Sequence, residues 1–213
     1  MTETAKTKLI PRSLFVFAVL YGGMTCIAGI LGAKQVAIGP LAVESGIFPF
    51  LLLVVLSSSV AELHGRDVAN RLVRFGFIPL ITAIALIQIV LALPTDPGMY
   101  EPAKEAFPII LSQGARLMFA GIIAYGVSQF LNVYIFSRLA NMKGALLALR
   151  AAIASALSQI VDTVIFISIA FYGERPIGQL LLGQGSAKVV LSFLLVPFLI
   201  VFFVKLGRRL DRE

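Results

Sequence analysis

Six apolar runs, each about long enough to cross a bilayer as an α-helix, occupy most of this 213-residue sequence. They fall at about Leu14 to Gly32, Ser45 to Leu63, Phe75 to Leu93, Ser112 to Leu139, Leu149 to Tyr172 and Leu182 to Leu206. A helical span needs roughly 20 apolar residues at a rise of 1.5 Å per residue. Hydrocarbon offers no partner for backbone N–H and C=O groups, so runs of this length must satisfy them internally as helices. Composition points the same way: 59% hydrophobic, 14% charged and a mean hydropathy of +0.96. A water-soluble domain of that make-up would expose large apolar surface. The expected fold is an all-α, polytopic six-transmembrane-helix bundle forming one transmembrane domain over residues 1–213, with no separate soluble domain.

Breaker residues mark the connections at one end of the bundle: Gly39-Pro40, Pro94 to Gly98, and Arg175-Pro176 with Gly178. The longest loop is expected at Pro94 to Phe107. With the N-terminus placed in the cytoplasm, that side holds Lys6, Lys8, Arg12, Arg66, Arg71, Arg74, Arg138, Lys143, Arg150, Lys205, Arg208, Arg209 and Arg212. The other side holds Lys34, Lys104, Arg116, Arg175 and Lys188. Loop cations are retained in the cytoplasm, so a split of 13 to 5 among 18 basic residues places both termini there. The first run continues past Tyr21 without a small-residue cleavage site and reads as a retained helix rather than a signal peptide.

The same distribution explains the net charge of +7 without nucleic acid, which is not expected as a partner. One cysteine, Cys26, and one histidine, His64, exclude a disulfide within the chain and any multi-cysteine or multi-histidine metal site. No cofactor is expected. An intramembrane serine hydrolase needs a base beside its nucleophile at membrane depth. His64 sits at a helix end, remote in sequence from Ser128 and Ser158, so the chain is not read as an enzyme.

The chemistry lies in the fourth and fifth spans, whose centres repeat a pattern: Ser128-Gln129-Phe130-Leu131-Asn132 and Ser158-Gln159-Ile160-Val161-Asp162. At about 3.6 residues per turn, Ser155, Ser158 and Asp162 share one face with Gln159 adjacent; Ser128, Gln129 and Asn132 repeat the arrangement. The patches fall at similar depths on antiparallel neighbours. Amides and hydroxyls alone serve as interhelical glue. A carboxylate at mid-membrane costs at least ~2.5 kcal/mol and calls for a partner or an internal cavity. Asp162, Gln159 and Asn132 together are therefore read as a ligand or ion site. Glu62 is a second candidate, as a gate or as an interfacial ion pair with Arg66 or Arg71. Gln88 and Arg116 are candidates for an entrance, Arg116 alternatively snorkelling to headgroups. Phe48 and Tyr125 are candidates to cover a ring. Pro49, Pro79 and Pro197 are candidate kinks.

These motifs resemble the YhhQ-type queuosine precursor transporter family of the vitamin uptake transporter group. The resemblance runs from about Gly46 through the sixth span. It is carried by Ser59-Val60-Ala61-Glu62-Leu63-His64-Gly65, by Ala124-Tyr125-Gly126-Val127-Ser128-Gln129, and by Leu149 to Thr163 continuing through Phe166 to Gly173. Glu62, Gln129, Ser158, Gln159 and Asp162 match the family pattern. Ala61 and His64 stand where the family usually has threonine and tyrosine, Ser58 where aspartate is common, and Asn132 where the first repeat often has aspartate.

The resemblance implies import of 7-deazaguanine precursors of queuosine, the 7-cyano and 7-aminomethyl bases, across the cytoplasmic (inner) membrane. It also implies a fold similar to the substrate-binding subunits of energy-coupling-factor transporters. Asp162 would accept from the donor edge of the base, with Gln159 and Gln129 or Asn132 reading its carbonyl and ring nitrogens. The alternative is a binding subunit that works only with a separate ATPase module. The first span carries Gly22, Gly23, Ala28, Gly29 and Gly32 without an A-x-x-x-A docking stripe, which favours a standalone carrier. Lipid and the deazapurine base are the expected partners, and a homodimer is compatible with the sequence.

Overall fold

The structure is a computed structural model that describes residues 10–38, 41–112, 115–141, 146–173 and 177–212. Its elements in chain order are α1 (Arg12–Gly32), β1 (Gln35–Ile38), β2 (Leu41–Glu44), α2 (Ile47–His64), α3 (Arg66–Ala92), α4 (Glu101–Leu111), α5 (Ala115–Arg138), a 3-10 turn (Leu139–Asn141), α6 (Leu147–Phe171) and α7 (Ile177–Leu210). Six helices, all but α4, are long and apolar enough to span a membrane. The protein is therefore an all-α multi-pass membrane protein of six spans.

Three features differ from the sequence reading. The Pro94–Phe107 segment is not all loop: Tyr100 precedes α4, and Pro102 in its first turn has the fixed φ that helix starts favour. The turn between the first two spans is an antiparallel hairpin pairing Gln35 with Glu44 and Val36 with Val43. The third span begins at Arg66 rather than Phe75, because polar residues at its start, Arg66 to Arg74, do not stop a helix outside the hydrocarbon. Gly65 alone separates α2 from α3, at φ 88° and ψ 164°. A side chain at that φ is strained, which is why the single-residue turn is a glycine.

Without a hydrophobic force between helices in lipid, packing depends on close approach and on polar contacts. Helix α2 is the centre: 61% of its apolar window is buried, against 6% for α3. Its two sides feed two clusters. Leu53, Leu56 and Val60 join Phe17 and Tyr21 of α1, Leu72 and Val73 of α3, and Tyr125 and Val133 of α5. Ile47, Leu51 and Val55 join Phe136, Ala151, Ala154, Leu191 and Val196. The first half of α6 buries a run of small residues (Ala151, Ala152, Ala154, Ser155, Ala156, Ser158), which lets α5 and α7 lie close on either side. Phe15, Phe75, Ile78, Ile89, Phe198 and Phe202 point outward as lipid-facing surface. Pro49 sits in the first turn of α2, where no hydrogen bond is lost, whereas Pro79 and Pro197 lie inside their helices.

Gly76 marks the closest approach of α3 to the core. A Cβ there would fall on the Tyr125 hydroxyl and the Tyr21 ring. Both tyrosines are buried, so neither can retreat into lipid. Gly76→Ala is expected to destabilise the fold by about 1–3 kcal/mol through overpacking, measured as a lowered melting temperature in detergent.

Candidate functional site

Asp162, near the middle of α6, and Lys188, of α7, form an ion pair with Nζ to Oδ2 at 2.9 Å and side chains only 8% and 12% exposed. Ser128 of α5 donates its hydroxyl to the other carboxylate oxygen at 3.2 Å. The repeat relation between the two polar patches is thus a physical contact. Three helices meet at one carboxylate whose charge has, among the described residues, a single near cation, with the Lys188 ammonium 5.8 Å from the centre of the Phe50 ring.

The pair borders a cavity of about 440 Å³ in the half of the bundle that carries the hairpin and α4. Its polar lining includes Glu44, Gln88, Asp162, Gln184 and Lys188, and its apolar wall includes Ile47, Phe50, Leu80 and Phe166. Gln184 stands one turn before Lys188 on α7 and donates to Glu44 at 3.2 Å. A partly apolar concavity with a few convergent polar groups is the usual form of a small-molecule site.

Beneath this cavity, toward the chain termini, lies a polar layer between α2 and α5. The Asn132 amide donates to Ser57 Oγ at 3.2 Å, Ser58 Oγ at 3.0 Å and the Val54 carbonyl at 3.3 Å. Gln129 Oε1 accepts from Tyr21 and Ser57, each at 3.3 Å. Among the described residues, Gln129 Nε2, Asn132 Oδ1 and both amide atoms of Gln159 are buried without a partner. Ser158 turns back on the Ser155 carbonyl, and Ser155 donates to Ser192 of α7.

Further down, Arg150 at the start of α6 meets Glu62 at 3.3 Å, donates to the Phe136 carbonyl and stacks 4.4 Å from the Phe136 ring centre. Glu62 pairs with neither Arg66 nor Arg71 in this arrangement; its partner comes from a distant helix. At the rim, the Ser13 backbone and hydroxyl donate to Asp211 at 2.9 and 2.8 Å, and His64 Nε2 lies 2.7 Å from the same hydroxyl. The serine proton serves the carboxylate, so His64 Nε2 carries a hydrogen and donates. His64 is partly buried in this contact rather than solvated.

The other sequence candidates lie as follows. Tyr125 lines the cavity, but its hydroxyl is engaged by Tyr21 and the Val73 carbonyl and its ring packs edge-on to Phe77. Gln88 lines the cavity from α3. Phe48 is 42% exposed and outside the lining, whereas Phe50 and Phe166 are within it. Arg116 donates to the carbonyls of Ile169 and Tyr172 at 2.5 and 2.7 Å, satisfying acceptors that the end of α6 leaves open.

Lys188, counted from sequence with the cations of the outer side, stands within α7 at the depth of Asp162 and pairs with it. A lysine standing inside an apolar run was itself the signal, since ionisable groups in spans face the bundle interior and pair there.

The profile of the family described as "Putative vitamin uptake transporter" matches residues 44–202. The chain belongs to that family. A curated protein of Bacillus subtilis (strain 168) described as "Probable queuosine precursor transporter" is 28% identical over 190 residues, covering 88% of this chain and 78% of that protein. No solved structure matches the chain. As a member of the vitamin uptake transporter family, the protein is a transporter of the cytoplasmic membrane rather than an enzyme. The family match takes in Glu44, Glu62, the α5 and α6 patches and Lys188, and leaves out all of α1.

Proposed function

We propose that this transporter imports 7-deazaguanine precursors of queuosine, binding the base in the cavity above the Asp162–Lys188 pair. The observation that carries the reading is the pair itself at the edge of an internal cavity. A guanine-like edge presents an exocyclic NH₂ and a ring N–H beside a carbonyl. A carboxylate next to an ammonium offers the complementary acceptors and donor. Phe50 and Phe166 are the cavity aromatics available to a ring face. The description of the Bacillus subtilis relative supports the same substrate class.

The charge distribution supports an orientation for the cavity. Arg12, Arg66, Arg71, Arg138, Arg208 and Arg209 gather at the end holding the termini, against Lys34, Lys104 and Arg116 at the other. The positive-inside rule then makes the first end cytoplasmic and turns the cavity outward. Below the site, the Asn132–Ser57–Ser58 layer, the Arg150–Glu62 bridge and the Ser13–His64–Asp211 contacts close the cytoplasmic side. Alternating access then requires these contacts to part while the site stays between the same helices. The unpartnered amides of Gln129, Asn132 and Gln159 offer hydrogen bonds to a polar heterocycle on that route.

Reconstitution of the chain alone into liposomes tests this directly. Accumulation of labelled 7-deazaguanine base in those vesicles, suppressed by excess unlabelled base, is expected. Uptake that needs an added ATPase module would instead favour the binding-subunit reading.

A further inference from the structure

Among the described residues, the Asp162–Lys188 pair accounts for two of the three charged side chains lining the cavity. The third is Glu44, the last residue of β2, which faces the cavity from the hairpin. Its Oε1 accepts from Gln184 Nε2 at 3.2 Å, a neutral donor. Among the described residues no cation pairs with it, and Lys188 is held by Asp162. Among the described residues the lining therefore carries one carboxylate without a counter-charge, one turn of α7 away from the ion pair.

Helix α7 links the two carboxylates through its own side chains. Gln184 contacts Glu44 and Lys188 contacts Asp162, and these two residues are four apart on one helix, about 6 Å along its axis. That separation is comparable to the length of a fused bicyclic base. A base whose donor edge sits on Asp162 thus directs its far substituent toward Glu44. The same lining includes Ile47, Phe50 and Phe166, an apolar surround that strengthens the interaction of any charge brought there.

We propose that Glu44 is the subsite for a cationic substituent, so that the protein prefers a bicyclic base bearing an ammonium arm to its neutral counterpart. This rests on the reading of the cavity as a 7-deazaguanine site and names the preferred member of that class. The ammonium has three donors and meets a carboxylate with an oxygen left open by Gln184. A nitrile at the same place offers no charge and only an acceptor, and leaves Glu44 beneath the ligand with the neutral Gln184 donor and no counter-charge.

Calorimetric titration of the purified full-length chain in detergent with 7-aminomethyl-7-deazaguanine and with 7-cyano-7-deazaguanine tests the assignment. The wild type is expected to bind the aminomethyl base at least about tenfold more tightly, the scale of one charge-assisted hydrogen bond. In Glu44→Gln the ratio of the two affinities is expected to fall by about the same factor, while Glu44→Asp, which keeps the charge, retains the preference. Equal binding of the two bases by the wild type, tighter binding of the cyano base, or a preference unchanged in Glu44→Gln would overturn the inference and leave the 7-deazaguanine reading standing. Failure of both bases to bind the wild type would overturn both. The wild-type comparison does not depend on how well either variant folds.

Discussion

Asp162→Asn is expected to abolish uptake and to lower the stability of the protein together. The carboxylate is buried against Lys188 and takes a hydroxyl from Ser128, so its neutralisation leaves an ammonium inside the bundle without a counter-charge. Removing one member of a buried pair costs about 3–5 kcal/mol. The stability loss alone does not prove a role in transport, because any ion pair would show it. The paired variant separates the two effects. Asp162→Asn combined with Lys188→Met removes both charges, and replacing a whole buried pair is often close to neutral for stability. The double variant is expected to recover most of its melting temperature and still to transport nothing. A double variant that folds and transports would reduce the pair to an interhelical strut.

Glu62→Ala is the second large expected effect, and it acts at the opposite end of the polar column. Arg150 is buried, its Nη2 is shared between Glu62 and the Phe136 carbonyl, and its Nε has no partner among the described residues. Loss of Glu62 leaves a guanidinium that Phe136 stacking compensates only in part. A destabilisation of about 3–5 kcal/mol is expected. Its signature in transport differs from that of Asp162. Glu62 does not line the cavity, so binding of the base measured by titration is expected to persist in material that folds, while uptake falls. Loss of binding in folded Glu62→Ala would place that residue in the site rather than beneath it.

The spans were legible because hydrocarbon imposes a length and forces the backbone into helices, and both leave a mark in every run of the sequence. The polar repeat was legible for a related reason: a midplane carboxylate is costly enough that its presence alone indicates an interior position. The contact of Ser128 with Asp162 followed from matching depths on antiparallel neighbours. What stayed hidden depended on pairing between distant segments. Lys188 lies within the sixth apolar run, yet its partner Asp162 sits on α6, and only the packing of α7 against α6 brings the two together. Glu62 has two arginines close by in sequence, yet its partner is Arg150, brought in by the packing of α6 against α2. The hairpin and α4 lack the long apolar signature that identifies a span, and Glu44 was missed with the hairpin. Phe48 and Phe50 are equally apolar neighbours, and only the rotation of α2 decides that Phe50 turns inward. The amides sorted themselves by depth: Gln129 and Asn132 hold α5 to α2, and Gln159 remains without a partner among the described residues.

The account turns on a buried carboxylate–ammonium pair that reads the edge of a heterocycle in an internal cavity. The most direct measurement is a thermal-shift screen of the purified chain and of Asp162→Asn against guanine, 7-deazaguanine bases and a panel of vitamins. A ligand that binds only the folded state raises its melting temperature in proportion to occupancy. The account predicts stabilisation of the wild type by the 7-deazaguanine bases and none of Asp162→Asn. Stabilisation by a vitamin alone, or by the bases equally in both proteins, would contradict it.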